Sequence, residues 1–183
     1  PEEGNVPGAF PIPAEFVLPQ DTAEETLQGW RDDLTLQIGS LLMGSGVDPW
    51  SESDTIVLFD NGTMDAAALW WALDYLGHRD TRILEGGSSA WVNHWGAPDT
   101  VLPVGPLAPV RTTGDELPRY PAQFRDERLS TLDDVTASLA DDAVVLVDSR
   151  SAEQFAAAHI PGAVNVPANE NLAPGGEGWR SPD

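Results

Sequence analysis

A short polar loop lies between a β-rich apolar run at residues 55–59 and a helical pattern at residues 66–76. It consists of Asp60, Asn61, Gly62, Thr63, Met64 and Asp65. Where a strand leads through a tight loop into a helix, the loop N–H groups and the positive end of the helix dipole converge on one point and bind an anion. Asp60 places a carboxylate at that point, and Asp65 or Thr63 is expected to cap the helix. An ordinary βα turn with an N-cap is the alternative that these residues leave open.

The charge of the chain limits the partners that such a site can have. Thirty acidic residues stand against nine basic ones, all of them Arg, and the formal net charge is −21. We therefore expect neither nucleic acid nor a membrane as a partner, because phosphate binding needs a basic cluster that this sequence lacks. A small anionic substrate must meet local positive charge, since the overall field repels it beyond a Debye length of about 8 to 10 Å.

The composition argues against metal and cofactor chemistry. The chain has no Cys, so these residues form neither a disulfide nor a thiolate metal site. Its three His residues, at positions 78, 94 and 159, are widely separated, and we expect no metal and no cofactor.

No apolar run approaches the roughly 20 residues of a membrane span, and the N-terminus has neither an initiator Met nor a signal-peptide profile. We expect a cytoplasmic protein whose natural start precedes Pro1, and no pattern indicates an oligomeric state.

One segment of the chain is repeated. Val6-Pro7-Gly8-Ala9-Phe10-Pro11-Ile12-Pro13-Ala14 returns 154 residues later as Ile160-Pro161-Gly162-Ala163-Val164-Asn165-Val166-Pro167-Ala168, with five of nine positions identical. An internal repeat of this spacing indicates two copies of one domain. The spacing places the counterpart of Asp60 near position 214 and the counterpart of the apolar run at 143–147 before Pro1, so we expect both copies to be incomplete within these 183 residues.

The elements that would position the loop alternate between helix and strand. Apolar spacing predicts an amphipathic helix from a capping box at Asp21 to Gly44. It then predicts a buried strand at 55–59, a helix at 66–76, a second strand at 81–84 and a brief helix around 90–91. This alternation is typical of an α/β fold with a parallel sheet.

A proline-rich segment separates the two copies. Six of the 16 Pro residues lie between positions 97 and 121, a density that helices and central strands do not tolerate. We predict a first domain at residues 1–97, a linker at 98–128 and the start of a second domain at 129–183. Within the second domain the pattern predicts a capped helix at 130–139, a buried strand at 143–147 and a helix at 152–158.

The order of these motifs resembles the tandem-domain rhodanese family, the thiosulfate and 3-mercaptopyruvate sulfurtransferases. The motifs of the second copy are Val147-Asp148-Ser149-Arg150 and His159-Ile160-Pro161-Gly162-Ala163. Those of the first copy are Val6-Pro7-Gly8-Ala9, Trp70-Trp71, Tyr75-Leu76-Gly77-His78 and Leu84-Glu85-Gly86-Gly87 with Trp91. The resemblance implies three-layer αβα rhodanese-like domains with a parallel sheet, arranged in tandem and both incomplete in this chain.

The resemblance also implies a chemistry. In this family a loop Cys of the second domain takes sulfane sulfur from an anionic donor as a persulfide and passes it to a thiophilic acceptor such as cyanide. Asp60 stands at the equivalent position of the first copy, which makes that copy inactive, and the second copy's Cys is expected beyond Asp183. Arg150 corresponds to the residue that binds the anionic donor, with a structural ion pair to Asp148 as the alternative. His159 is expected in a turn with a structural or exposed role, and Asn5 at the matching position of the first copy leans toward thiosulfate as the donor.

Two rival functions use the same motifs. A rhodanese-like protein with Asp in both loops would have no nucleophile and would serve as a binding or regulatory module. A phosphatase-like relative would need a loop Cys and a longer loop. The residue near position 214 and the length of its loop distinguish the three hypotheses.

Overall fold

The computed structural model describes residues 24–44, 54–95 and 119–173. The first two ranges contain α1 (Glu24–Gly44), β1 (Ile56–Leu58), α2 (Asp65–Tyr75), β2 (Thr81–Ile83) and α3 (Gly87–Trp95). The third contains α4 (Leu132–Ser138), β3 (Val147–Asp148), α5 (Ala152–Ala157) and β4 (Val164–Asn165), with 3-10 turns at Asp126–Arg128 and Ala168–Asn171. We refer to residues 24–44 and 54–95 as the N-terminal unit and to residues 131–173 as the C-terminal unit.

Both units contain a parallel strand pair. In the N-terminal unit β1 pairs with β2, so that Ile56 lies opposite Thr81, and α2 forms the crossover between them. In the C-terminal unit β3 pairs with β4, Asp148 lies opposite Asn165, and α5 forms the crossover. Parallel neighbours joined through a helix define the α/β class, as the sequence predicts.

The core of the N-terminal unit joins α1, α2 and β1. Helix α1 contributes Leu34, Ile38 and Leu42, which recur every four residues and therefore lie on one face. Its partners from β1 and α2 are Leu58, Ala66, Leu69, Ala72, Leu73 and Tyr75, followed by Leu76. A fully buried Leu or Ile side chain contributes about 2 kcal/mol, so this cluster fixes α2 against the sheet and with it the loop that precedes α2.

Residues 119–129, which we call the strap, pack on the N-terminal unit. The amide of Tyr120 donates to the carbonyl oxygen of Thr35 at 2.8 Å, and the amide of Gln123 donates to that of Leu76 at 2.9 Å. The buried Tyr120 ring and the half-buried Phe124 join the core cluster. The last ten residues of the predicted linker are therefore bound along α1 and the C-terminal end of α2.

The predicted buried strand at 143–147 is wrong in extent and in burial. Only Val147 of that run belongs to a strand, and the side chains of Val145 and Val147 are 70% and 58% exposed. A parallel strand is buried when helices cover both faces of a wider sheet. Within residues 131–173 the sheet has two short strands, so these valines have little to pack against.

Several predictions lie outside the described residues. They are the first copy of the repeat at Val6–Ala14, the capping box at Asp21 and most of the proline-rich segment. Across the ranges given above, no helix is both long enough and apolar enough to cross a membrane.

Candidate functional site

The carboxylate of Asp60 occupies the anion-binding point of the predicted loop. Its Oδ1 accepts a hydrogen bond from the amide of Gly62 at 2.9 Å, and its Oδ2 accepts one from the amide of Ala66 at 3.0 Å. Ala66 is the second residue of α2, so the carboxylate also faces the positive end of the helix dipole. Gly62 adopts the left-handed region, with φ of 87°, which turns its amide toward the carboxylate.

The start of α3 supports this loop from the other side. The carbonyl oxygen of Asp60 accepts from the amide of Ser88 at 3.1 Å, and the hydroxyl of Ser88 bonds the side-chain oxygen of Asn61. Gly87 makes this approach possible, because a Cβ atom there would stand 2.4 Å from the carbonyl oxygen of Asp60. The first two residues of the loop are therefore held by the start of α3, and Asp60 is held by α2 as well.

The helix cap differs from the prediction. Met64, with φ of 68°, is the N-cap of α2 and makes no side-chain cap bond. Asp65 instead accepts from the hydroxyl of Thr63 at 2.5 Å, so neither of the two predicted residues caps the helix. The physical reason is that Asp60 already accepts from the amide of Ala66, one of the two amides that a capping side chain bonds.

Arg150 lies in the C-terminal unit, beyond the end of β3, and is bound on two sides. Its Nε and Nη2 donate to the carboxylate of Asp148 at 3.0 and 2.6 Å, and Nη2 also donates to the carbonyl oxygen of Ala158 at 2.7 Å. The Arg150 guanidinium holds the pKa of Asp148 below its usual value, and the same pair raises the pKa of Arg150. The ion pair that the sequence offers as the structural alternative is therefore present. The Arg150 side chain nevertheless remains 49% exposed.

Two further groups shape the surroundings of Arg150. The amide of Arg150 donates to Asp148 Oδ1 at 2.9 Å, and Asn165 Nδ2 donates to the carbonyl oxygens of Asp148 and Arg150 at 2.9 Å each. Sequence reasoning missed Asn165, because its contacts exist only once β3 and β4 pair in this register. His159 is exposed and stacks on Phe155, with ring centroids 4.0 Å apart, in keeping with a structural role.

The two candidate sites differ in chemistry and in position. The loop at residues 60–65 is an anion cradle filled by its own carboxylate, and a carboxylate cannot carry sulfur as a persulfide. Arg150 is a cation fixed at the end of a strand in the other unit. The fold and these sites define the class of the protein. It is a parallel-sheet α/β protein with a strand–loop–helix cradle, followed by a second unit of the same type.

The family of the chain follows from its sequence. The profile of the rhodanese-like domain family matches residues 2–94 and 131–182. The chain belongs to the rhodanese-like domain family.

Relatives and solved structures extend this comparison. A protein of Haloferax volcanii is 32% identical over 189 residues, which cover 90% of this chain and 57% of the relative. A thiosulfate sulfurtransferase of Pseudomonas aeruginosa is 28% identical over 181 residues, covering 94% of this chain and 60% of that protein. The crystal structure of SseA from Escherichia coli, a 3-mercaptopyruvate sulfotransferase with the rhodanese fold, matches with a TM-score of 0.58 and 26% identity. That match covers 82% of this chain and 53% of SseA, so the chain spans little more than half the length of these proteins.

Proposed function

We propose that this chain belongs to a cytoplasmic sulfurtransferase that moves sulfane sulfur from thiosulfate, or from 3-mercaptopyruvate, to a thiophilic acceptor such as cyanide. The nucleophile is a Cys located outside these 183 residues, which contain none. Its thiolate attacks the outer sulfur of thiosulfate, the S–S bond breaks, and sulfite leaves with the electron pair. The acceptor then attacks the terminal sulfur of the persulfide and restores the thiolate, so that cyanide becomes thiocyanate.

The placement of Arg150 is the observation that supports this proposal best. The donor is a small anion and the chain carries a net charge of −21, so binding requires a fixed local cation. Arg150 is held by Asp148 and by the carbonyl oxygen of Ala158 at the end of a parallel strand, where ligands of open α/β sheets bind. Its guanidinium is half exposed and presents a planar set of N–H donors that suits an oxyanion.

The preference for thiosulfate over 3-mercaptopyruvate as the donor rests on a single residue. The resemblance that places Asn5 where some mercaptopyruvate-using relatives carry His leans toward thiosulfate. Kinetics with both donors on the longer protein would decide between them.

The experiment that tests the proposal uses the longer protein and a matched pair of arginine variants. Arg150→Ala is expected to raise the KM for thiosulfate about tenfold or more, because it removes the cation that binds the donor. Arg82→Ala is the control, since Arg82 is exposed and pairs with Asp80 two residues before it, as Arg150 pairs with Asp148. A longer protein that has a loop Cys near position 214 and makes no thiocyanate would contradict the proposal.

A catalytically inactive binding or regulatory module is the second candidate, and the Asp60 loop favours it. That loop keeps the geometry of an anion cradle but fills it with its own carboxylate, which is what a domain without chemistry would retain. A residue other than Cys near position 214, together with absence of thiocyanate formation, would favour this candidate over the enzyme.

A further inference from the structure

The loop between β1 and α2 contains the one Asn–Gly pair of the sequence, Asn61 and Gly62. In such a pair the amide nitrogen of the glycine can attack the side-chain carbonyl carbon of the asparagine and close a five-membered ring, because glycine has no Cβ atom to obstruct the approach. Asn61 is exposed, and residues 61–64 belong to neither a helix nor a strand. Water therefore reaches the pair, and no regular ladder of hydrogen bonds fixes its main chain.

A carboxylate is hydrogen-bonded to the nitrogen that would attack. The amide of Gly62 donates to Oδ1 of Asp60 at 2.9 Å. Ring closure requires that amide to lose its proton, and a carboxylate that already accepts the proton is in position to act as a general base. Oδ2 of Asp60 accepts from the amide of Ala66 at 3.0 Å, so the carboxylate is fixed in this position.

A hydroxyl group is hydrogen-bonded to the carbonyl that would be attacked. The hydroxyl of Ser88 donates to Oδ1 of Asn61. This oxygen gains negative charge when the nitrogen attacks, so a donor that already faces it stabilises the tetrahedral intermediate. The amide of Ser88 also donates to the carbonyl oxygen of Asp60 at 3.1 Å, which holds the start of α3 against the loop. A base and a hydrogen-bond donor therefore lie at the two ends of the bond that would form.

We propose that Asn61–Gly62 is a modification site at which Asp60 and Ser88 promote deamidation of Asn61. The nitrogen of Gly62 forms a bond to Cγ of Asn61 while Asp60 takes its proton. The bond from Cγ to the side-chain nitrogen then breaks, and this nitrogen takes up the proton and leaves as ammonia. Water, the only co-reactant, opens the ring at either carbonyl and gives aspartate or isoaspartate at position 61. The inference concerns the first copy alone and is independent of the proposed sulfur transfer.

The modification changes the anion cradle in one direction only. Either product adds a negative charge next to Asp60. Isoaspartate also lengthens the main chain by one carbon between position 61 and Gly62, and we expect this to move the Gly62 amide away from Oδ1 of Asp60. The cradle then keeps the amide of Ala66 and the N-terminus of α2.

The test follows deamidation in the 183-residue chain during incubation at neutral and mildly alkaline pH, by mass spectrometry after digestion with trypsin. The chain has no Lys, so trypsin cleaves after Arg, and peptide 32–79 carries Asn61 as its only Asn. Peptide 83–111 carries Asn93, an exposed residue of α3 that serves as the internal reference. We expect conversion of the amide to a carboxylate, with isoaspartate among the products, to be at least about tenfold faster at Asn61 than at Asn93.

Two matched pairs of variants test the roles of the two groups. Asp60→Ser and Ser88→Ala are each expected to slow deamidation of Asn61 about tenfold, because the first removes the base and the second the donor. Asp65→Ser is the control for the first, since the Asp65 carboxylate accepts from the hydroxyl of Thr63 at 2.5 Å. Ser89→Ala is the control for the second, at the next residue of α3. Both controls are expected to change the rate by less than about twofold.

Loss of fold is distinguished from loss of catalysis by the amide of Leu84, which donates to the carbonyl oxygen of Leu58 at 2.8 Å. Slower deamidation with this amide still protected from exchange supports the inference. A wild-type rate in Asp60→Ser or in Ser88→Ala overturns it, as does slowing that occurs only together with loss of Leu84 protection. It is also overturned if Asn61 deamidates no faster than Asn93, or if Asn61→Gln, which would have to close a larger ring, loses its side-chain amide at the wild-type rate.

Discussion

The main-chain oxygen of Gln123 lies 2.6 Å from the position that a Cβ atom would take on Gly77. Gly77 ends α2 with φ of 87°, and the amide of Gln123 donates to the carbonyl oxygen of the preceding Leu76. A side chain at position 77 would meet both a left-handed backbone and the strap. The glycine that stops the helix therefore also makes room for the segment that covers it.

Gly77→Ala is expected to destabilise the N-terminal unit by about 2 kcal/mol, because alanine strains the left-handed backbone and collides with the strap. The measurement is the free energy of unfolding in urea, followed by Trp fluorescence. Gly29→Ala is the control, since Gly29 lies exposed within α1 and a Cβ atom there would have nothing within 4 Å. That variant is expected to raise stability by about 0.5 to 1 kcal/mol, and a loss similar to that of Gly77→Ala would contradict the account.

Gly77 also shows how far the sequence predicts the fold. Gly77 ends a helix that the sequence predicts at residues 66–76, and the structure has this helix at Asp65–Tyr75. The prediction succeeds because apolar periodicity and a glycine stop are local signals. The sequence does not predict the strap, since its contacts join residues 119–129 to helices more than 40 positions earlier along the chain. Proline density predicts a linker there, but it does not tell an unattached linker from a bound one.

The same limit applies to the sites. A carboxylate in the cradle is visible in the sequence at Asp60, since strand, loop and helix are consecutive. The capping prediction at Thr63 and Asp65 is wrong because several side chains near the start of α2 compete for the amide of Ala66, and Asp60 takes it. The sequence pattern does not tell which of these acceptors forms the bond. Asn165 is 15 residues from Arg150, and their contact exists only because β3 and β4 pair in one register.

Asp74→Asn is expected to destabilise the strap. The Asp74 carboxylate accepts from Arg125 and, at 2.8 Å, from Nε of Arg128, and it is only 13% exposed. Removing its charge leaves two guanidinium groups facing an amide, and we expect a loss of about 2 kcal/mol in the urea experiment. Asp32→Asn is the control, because Asp32 lies 3.8 Å from Arg119 with both side chains exposed, and it is expected to cost less than about 0.5 kcal/mol. Equal losses in the two variants would contradict a special role for Asp74.

Tyr75 is expected to give the N-terminal unit an alkaline limit. Burial raises the pKa of Tyr75 above 10.0, and the hydrogen bond from Arg31 at 2.8 Å offsets this only in part. Because the folded pKa is the higher one, this contribution to stability is complete below about pH 10 and is lost as pH rises through the folded value. Tyr120→Phe leaves Tyr75 as the only tyrosine, so tyrosinate absorbance should titrate above pH 10. A midpoint at or below 10 would show that the phenol is not protected.

Asp148 is expected to make the C-terminal unit sensitive to acid. The hydrogen bonds from Arg150 lower the pKa of Asp148 from 3.8, so the stabilisation is present above about pH 4 and is lost as pH falls through the folded value. Protection of the Val166 amide, which donates to the main-chain oxygen of Asp148, should therefore fall as the pH drops below about 4, and Asp148→Asn should remove most of this dependence. Glu153→Gln is a control at an exposed carboxylate of the same unit. An unchanged pH profile in Asp148→Asn would assign the acid sensitivity to other groups.

Asp60→Cys is expected to create a thiol with a lowered pKa. The amides of Gly62 and Ala66 that now bind the Asp60 carboxylate would face the sulfur, and together with the N-terminus of α2 they favour its thiolate form. The chain has no other Cys, so the pH dependence of alkylation by iodoacetamide reports on this one group. We expect a pKa of about 7.5 or lower at position 60 and the ordinary value of about 8.5 for Ala137→Cys, an exposed position near the end of α4. Equal pH profiles of alkylation for the two variants would mean that the loop stabilises the Asp60 carboxylate through its geometry alone. The N-terminal unit would then no longer lower the pKa of a thiol, as a sulfur nucleophile requires.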